Sequence, residues 1–167
     1  MKVIMNAAEM SRALTRIAFE IVEHYKGIED VVIVGIETRG KYLGQRLAEK
    51  IETIEGPVPF LALDTRPYRD DSDNKPEKIL VDEQLQDKRV VLVDDVLYTG
   101  RTVRAAMDAC LVHGRPASTT LAALVDRGHR ELPIRADFIG KNIPTSASEH
   151  VKVQVAELDD QDAVLIS

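Results

Sequence analysis

One segment determines how this chain folds: Val90-Val91-Leu92-Val93-Asp94-Asp95-Val96-Leu97-Tyr98-Thr99-Gly100-Arg101-Thr102. Its first four residues are β-branched or leucine, which predicts a buried strand. Two adjacent carboxylates follow, and a Thr-Gly-Arg-Thr turn then leads into a predicted helix that ends near Gly114. In α/β proteins, a strand, a turn and a helix in this order place the turn in the ligand crevice at the carboxyl ends of the strands. We therefore expect the chemistry of the protein to lie between Asp94 and Thr102.

Further strand and helix patterns flank this segment. A capping box of Asn6 and Glu9 predicts the start of a first amphipathic helix. Short apolar runs predict strands at 31–34, 58–63 and 119–125, and a second helical pattern follows the first of them. Strands that alternate with helices predict an α/β fold with a mostly parallel central sheet and flanking helices.

Two regions lie outside this alternation. Polar and proline-containing residues from about 64 to 87 predict a flexible lid over the crevice. From about residue 126 to the C-terminus, short strands such as 152–155 predict a small appended hood, which the N-terminal segment completes. We interpret residues 1–167 as a single domain with these two additions.

The composition indicates a folded protein without a membrane segment. Hydrophobic residues make up 44% of the 167 positions and charged residues 30%, and no apolar run approaches the roughly 20 residues of a membrane helix. The single cysteine, Cys110, cannot form an internal disulfide, and the chain does not begin like a signal peptide, so we expect a cytoplasmic protein. We interpret Cys110 as a small core residue rather than a nucleophile. The net charge of −6 mildly disfavours RNA binding unless basic residues cluster locally.

The turn after the buried strand has the chemistry of a phosphate and sugar site. Backbone N–H groups from Thr99 to Thr102 can bind a phosphate where the helix begins, and Gly100 allows close approach. Ionised Asp94 and Asp95 suit the two hydroxyls of a ribose or the water shell of Mg²⁺. Taken separately, Asp94 and Asp95 can be explained as the start of a turn, and Thr99 can be explained as a helix cap. Because the acidic pair and the threonine turn follow a strand in this order, we favour a phosphate and sugar site. The chain has no Gly-x-Gly-x-x-Gly or Gly-Lys-Ser/Thr motif, which disfavours a dinucleotide or NTPase site.

The thirteen-residue pattern resembles the 5-phosphoribosyl pyrophosphate (PRPP) signature of type I phosphoribosyltransferases. Four further segments, 12–18, 68–71, 124–137 and 140–146, resemble the pyrimidine operon attenuator family, and the resemblance extends over nearly the whole chain. It implies two activities. Such proteins convert uracil and PRPP into UMP and pyrophosphate, and they bind a pyrimidine operon leader mRNA in response to UMP or UTP. The resemblance also implies substrate-bound Mg²⁺ and a homodimer or higher homo-oligomer.

The resemblance assigns roles to residues of this chain by position. Arg39 would contact pyrophosphate, Arg69 would act from the lid, and Asp94 and Asp95 would hold the ribose or Mg²⁺; these four are the predicted catalytic residues. The predicted PRPP-binding residues are Thr38, Arg39, Gly40, Asp94, Asp95, Val96, Leu97, Tyr98, Thr99, Gly100, Arg101 and Thr102. The predicted nucleobase-binding residues are Tyr98, Val125, Asp126 and Arg127.

Basic residues along the chain are candidates for RNA contact. By resemblance, the predicted RNA-binding residues are Thr15, Arg16, Arg130, Lys141 and Lys152, with Arg127 and Arg135 as further members of a basic surface. The chain departs from the family at Glu37, Phe19 and Ala147, which stand where a basic residue, a histidine, and a lysine or arginine are usual. Because these changes remove polar or positive contacts, the sequence supports catalysis more strongly than RNA binding. We expect neither DNA nor a membrane as a partner.

Two other functions fit the same pattern. A non-catalytic, nucleotide-sensing RNA-binding regulator would keep the fold and the site, but the retained Asp94, Asp95, Arg39 and Arg69 favour an enzyme. A purine phosphoribosyltransferase is a weaker alternative, because purine enzymes of this class commonly have an aspartate where Tyr98 stands.

Overall fold

A five-stranded parallel sheet forms the centre of the protein, as seen in a computed structural model that describes residues 1–69 and 82–167. The strands are β1 (Lys2–Met5), β2 (Val31–Ile36), β3 (Phe60–Leu63), β4 (Arg89–Leu97), β5 (Ser118–Asp126), β6 (Phe138–Asn142), β7 (Val151–Gln154) and β8 (Ala163–Ile166). The helices are α1 (Ala7–Tyr25), α2 (Arg39–Ile54), α3 (Arg101–Cys110) and α4 (Ala156–Asp159). The central sheet has the order β3-β2-β4-β5-β6, and each neighbouring pair in it is parallel.

Side chains of the central strands alternate between two hydrophobic layers, because successive residues of a strand point to opposite faces. Ile33, Val91 and Val93 pack with residues of α1 and α2 on one face. Val34 and Leu92 pack with residues of α3 on the other face. Since both faces are covered, β2 and β4 are nearly continuous apolar runs rather than alternating apolar and polar ones.

The N-terminal strand and the end of the chain form a second, smaller sheet. Its order is β1-β8-β7, and both pairs are antiparallel. Met5, Val153 and Val164 join the hydrophobic layer that α1 and α2 cover, so this small sheet is attached to the core rather than separate from it. The small sheet and α4 lie in the predicted hood, but β6, which belongs to the same predicted region, joins the central sheet.

The predicted α/β fold with a mostly parallel sheet is confirmed. The predicted capping box is also present, since the Asn6 side chain accepts a hydrogen bond from the N–H of Glu9 at 2.9 Å. β4 is longer than predicted: its pairing with β5 continues to Leu97, so Asp94 and Asp95 lie within the strand and not in the turn after it. The predicted lid falls partly on residues 70–81, which are outside the described residues. Within the two described ranges, no helix has the length and apolar character needed to cross a membrane.

Candidate active site

A polar cleft opens at the carboxyl ends of β2, β3 and β4, with a volume of about 360 Å³. Its walls are formed by Glu37, Thr38, Arg39, Asp64, Arg66, Arg69, Asp94, Asp95, Val96 and Thr102. All of these residues except Val96 carry a charge or a hydroxyl group. A cleft of this composition at this edge of a parallel sheet suits a hydrophilic, phosphorylated ligand.

The loop between β2 and α2 forms one wall of the cleft. Gly40 is buried, and a side-chain carbon placed there would lie 2.4 Å from the carbonyl oxygen of Val93 and 3.1 Å from the Cα of Asp94. Glycine therefore allows the first turn of α2 to lie directly against β4. Thr38 is exposed in the cleft and its side chain makes no capping hydrogen bond to α2, so helix capping does not explain this threonine. The peptide bond between Glu37 and Thr38 is cis.

Asp94 and Asp95 lie side by side near the end of β4. One carboxylate oxygen of Asp94 accepts a hydrogen bond from the N–H of Asp95 at 2.9 Å, and one of Asp95 accepts from the N–H of Val96 at 2.8 Å. Because a carboxylate has about four acceptor positions, both groups keep acceptor capacity for a ligand. Burial raises the pKa of Asp94 well above its ordinary range, and the negative charge of Asp95 raises it further. Positive charge that enters the cleft therefore favours the ionised pair.

The turn that leads into α3 has the geometry of an anion site. Gly100 has φ 96°, a left-handed conformation that favours glycine. The Thr99 hydroxyl accepts a hydrogen bond from the N–H of Arg101 at 3.3 Å, although the N-cap position of α3 is occupied by Gly100. Thr102, in the first turn of α3, lines the cleft. The first N–H groups of a helix lack partners inside the helix, and together with the helix dipole they favour a phosphate at this end.

Three of the described residues that line the cleft are arginines, and two of them are paired with carboxylates. Arg66 forms an ion pair with Asp64 at 2.8 Å, and Arg39 forms one with Asp159 of α4 at 2.9 Å. Arg69 has no ion-pair partner in the part of the chain that the structure describes, although its charge lowers the pKa of Asp64 in addition to the larger effect of Arg66. Within the described residues, Arg69 is therefore free of the ion pairs that engage Arg39 and Arg66.

The Tyr98 ring lies against the loop that follows β5. The Arg127 guanidinium lies 4.0 Å from the centre of this ring, and the His129 ring meets its edge with 5.9 Å between centroids. Arg127 is buried and donates to the Thr145 hydroxyl and to two backbone carbonyls of residues 146–149. A His129 ring nitrogen also lies 2.6 Å from the carbonyl oxygen of Thr145. Both side chains thus hold the loop and the Tyr98 ring in place.

Asp126 and Arg130 connect the ends of β4 and β5. Asp126 accepts hydrogen bonds from the N–H of Gly128 at 3.0 Å and from Arg130 at 2.7 Å. Arg130 also donates to the carbonyl oxygen of Tyr98 at 2.8 Å. The Arg130 guanidinium is therefore engaged within the protein by the Asp126 carboxylate and the Tyr98 carbonyl.

The cleft brings together all four predicted catalytic residues and part of the predicted PRPP set. Leu97 and Val125 are at most 1% exposed, so their side chains belong to the hydrophobic core and only their backbone groups can reach a ligand. Arg101 is exposed and pairs with Glu131 at 3.1 Å, outside the cleft wall.

Asp64 and Arg66 also line the cleft, but we did not predict them as site residues from the sequence. Both follow directly after a predicted strand, which places them at the same edge of the sheet, and this position could have identified them.

The predicted RNA-binding residues differ in their availability. Thr15 accepts a hydrogen bond from a lysine of α2, and Arg16 forms an ion pair along α1 and donates to two carbonyls of β6. Lys141 and Lys152 are exposed, and neither has an ion-pair partner within residues 1–69 and 82–167. Phe19, where the family usually has histidine, is 55% exposed.

Comparison with known proteins identifies relatives over the full chain. Residues 2–160 match the phosphoribosyl transferase domain family. A relative from Pediococcus pentosaceus named "Bifunctional protein PyrR" is 53% identical over 173 residues, which cover 99% of this chain and 98% of the relative. A relative of the same name from Brevibacillus brevis is 58% identical over 170 residues, which cover 98% and 95%.

Solved structures share the fold. The hypoxanthine phosphoribosyltransferase of Trypanosoma cruzi has a TM-score of 0.74 at 18% identity, covering 99% of this chain and 95% of that one. A hypoxanthine-guanine phosphoribosyltransferase of Bacillus anthracis has a TM-score of 0.73 at 17% identity, covering 100% and 97%. At these identities the likeness concerns the fold alone. The family match and the close relatives together show that the chain belongs to the phosphoribosyltransferase family and, within it, to the bifunctional PyrR proteins.

Proposed function

We propose that this protein transfers the phosphoribosyl group of PRPP to uracil, giving UMP and pyrophosphate, and that it regulates a pyrimidine operon by binding leader mRNA in response to uridine nucleotides. The observation that carries the enzymatic part is that one polar cleft collects the Asp94 and Asp95 pair, the loop before α2 and the start of α3. The bifunctional relatives support both parts.

Each wall of the cleft suits one part of PRPP. The ribose hydroxyls donate to the carboxylates of Asp94 and Asp95, and the 5-phosphate binds the N–H groups of the turn from Thr99 to Thr102. Arg39 binds the pyrophosphate, and Arg69 adds positive charge as the bond from the sugar to pyrophosphate breaks. The sugar becomes cation-like as its bond to pyrophosphate breaks, and the two carboxylates stabilise that charge. Uracil N1 then bonds to the sugar, and the proton that N1 loses passes to the departing pyrophosphate or to water. Catalysis is then mainly positioning and charge stabilisation, without a covalent enzyme intermediate.

The donor set fits Mg²⁺ that arrives with the substrate. No group of three or more metal-binding side chains is present in the described ranges, so the protein alone provides no complete metal cage there. Mg²⁺ usually keeps several waters and binds one or two carboxylates together with substrate phosphates. Asp94 and Asp95 would hold the ion or its waters, and the bound ion would neutralise charge on the departing pyrophosphate.

The surroundings of Tyr98 favour a pyrimidine. Tyr98 is 38% exposed and its ring stacks on the Arg127 guanidinium, which gives a flat surface beside the cleft without a carboxylate at this position. The carboxylate of Asp126 already accepts hydrogen bonds from Gly128 and Arg130. The N–H groups of Arg127 and Gly128 already donate to Leu97 and Asp126, so the carbonyl oxygens of this loop, which can each accept a second hydrogen bond, are the backbone groups left for the N–H groups of uracil.

A steady-state assay with PRPP, Mg²⁺ and four bases tests the enzymatic part. We expect turnover of uracil and no comparable turnover of hypoxanthine, guanine or orotate. The double change Asp94→Asn/Asp95→Asn should abolish UMP formation, whereas Asp108→Asn, at an exposed position of α3, should retain it. Turnover of a purine alone would indicate a purine enzyme. A wild-type protein without turnover would support the non-catalytic regulator.

Lys141 and Lys152, which are exposed and have no ion-pair partner among the described residues, support the RNA-binding part. Phosphate contacts by such residues make affinity depend on salt, with a slope that follows the number of contacts. We expect a salt-sensitive complex with labelled pyrimidine leader RNA that strengthens when UMP is added. A complex that is indifferent to UMP, or the same affinity for an unrelated RNA, would contradict regulation by this route.

A further inference from the structure

Two arginines of α2 face the same short segment of the hood. Arg39 and Arg46 are seven residues apart, about two helical turns, so they lie on one side of the helix. Arg39 donates to Asp159, and Arg46 donates to Glu157 and Asp162; these acids lie in α4 or just after it. Charge-assisted hydrogen bonds thus hold this segment against α2. Of the two arginines, Arg39 is the one that lines the cleft.

The contact between Arg39 and Asp159 holds the Arg39 guanidinium through two hydrogen bonds. Nε and Nη2 of Arg39 donate to the two carboxylate oxygens of Asp159 at 3.3 and 2.9 Å. The same carboxylate accepts a hydrogen bond from the N–H of Val155 at 2.9 Å, which sets its own orientation. The two side chains are 30% and 14% exposed, so solvent screens the pair only in part. A bidentate pair of this kind defines both the position and the plane of the guanidinium.

The contact leaves part of the guanidinium for a ligand. Arginine has five N–H donors in a fixed fork, and Asp159 accepts from two of the nitrogens. Nη1 of Arg39 has no hydrogen-bond partner among the residues that the structure describes. Asp159 itself does not line the cleft, whereas Arg39 does. The Asp159 carboxylate therefore binds the guanidinium from outside the cleft and does not occupy the space that a ligand would take.

We propose that Asp159 is a positioning residue for the pyrophosphate end of the substrate, because it orients Arg39 with its remaining donors available to the cleft. The inference rests on the proposed function in taking PRPP as the ligand. Without Asp159, the long arginine side chain would become ordered only when the ligand binds, and that ordering would weaken binding. If Asp159 instead competed with pyrophosphate for Arg39, its removal would strengthen binding. The two arrangements therefore predict opposite changes in the Kd of PRPP when Asp159 is replaced.

Asp159→Asn tests the proposal with little change of shape. Asparagine keeps an acceptor for the N–H of Val155 but cannot accept the bidentate pair of an ionised carboxylate. We expect the Kd of PRPP, measured by calorimetry without uracil, and the KM of PRPP to rise roughly tenfold, with kcat changed about threefold or less. Glu157→Gln is the matched control, because it removes an arginine contact from the same helix at a position outside the cleft. It should leave the Kd within about twofold.

A double-mutant cycle shows whether Asp159 acts through Arg39. Arg39→Gln should weaken PRPP binding, and adding Asp159→Asn to it should weaken binding no further. Additive effects, tighter binding by Asp159→Asn, or an equal loss in Glu157→Gln would each overturn the proposal. A wild-type protein that binds PRPP but does not convert uracil would contradict the proposed reaction, and the double-mutant cycle could still be measured from PRPP binding. A wild-type protein that does not bind PRPP would contradict both.

Discussion

Replacing Gly40 with alanine would separate the loop before α2 from β4. The added carbon would lie 2.4 Å from the carbonyl oxygen of Val93 and 3.1 Å from the Cα of Asp94, and backbone atoms cannot rotate away as a side chain can. Ordinary contact begins at 3.4 Å, so the start of α2 has to move by about 1 Å. A misplacement of about 1 Å in groups that position a substrate costs roughly 10²-fold in rate. We therefore expect kcat/KM for PRPP to fall by about two orders of magnitude.

The expected effect on stability is smaller. Overpacking costs about 1–3 kcal/mol, and alanine offsets about 1 kcal/mol of this because it favours a helix more than glycine does. The free energy of unfolding in urea should therefore fall by about 0–2 kcal/mol, so that most of the protein stays folded in the assay.

Gly44→Ala is the matched control for Gly40→Ala. It lies one turn later in α2, where the added carbon would meet a ring carbon of Phe60 at 3.0 Å, in a side chain that can adjust. Its nearest backbone contact would be the Cα of Gly35 at 3.3 Å, close to the 3.4 Å of ordinary contact. We expect kcat/KM for PRPP to stay within severalfold of the wild type. The account of the loop would be refuted if Gly40→Ala kept wild-type kcat/KM, or if both variants lost activity equally.

Three further changes have expected outcomes. Asp94→Asn should raise the free energy of unfolding by about 0.5–2 kcal/mol near neutral pH, because the raised pKa of Asp94 means that folding disfavours the ionised carboxylate. That gain should disappear below the ordinary pKa of aspartate, where both states are protonated; urea unfolding across pH would show a constant difference if the reasoning were wrong. The double change Lys141→Ala/Lys152→Ala should reduce the salt slope of RNA binding by about 2, and an unchanged slope would place the RNA elsewhere. Cys110, whose pKa burial raises to about 11, should react with a thiol reagent at pH 8 only after unfolding, and rapid modification of the folded protein would contradict its place in the core.

Local patterns made much of this fold and site predictable. The run from Val90 to Val93 is apolar because both of its faces are buried, and the Asp-Asp and Thr-Gly-Arg-Thr residues follow it within one short segment. Strand, acidic pair and helix start are thus neighbours in sequence as well as in space. The prediction that Arg39 and Arg69 join them came from resemblance, and the structure brings both to the same cleft.

Features that depend on distant contacts were not predictable in this way. The pair of Arg39 and Asp159 joins residues 120 positions apart, and no local pattern marks an aspartate of the hood as its partner. Arg127 and Arg130 were candidates for ligand contact by resemblance, but hydrogen bonds to nearby loops and strand ends engage both. The length of β4 was underestimated for a similar reason, since it depends on pairing with β5.

Calorimetric titration with PRPP and Mg²⁺ shows whether Asp94, Asp95 and the turn into α3 together bind a ribose 5-phosphate. We expect saturable binding by the wild type, displacement by UMP, and loss of binding in Asp94→Asn/Asp95→Asn but not in Asp108→Asn. No heat with the wild type, or equal binding by the wild type and the Asp94→Asn/Asp95→Asn variant, would contradict it.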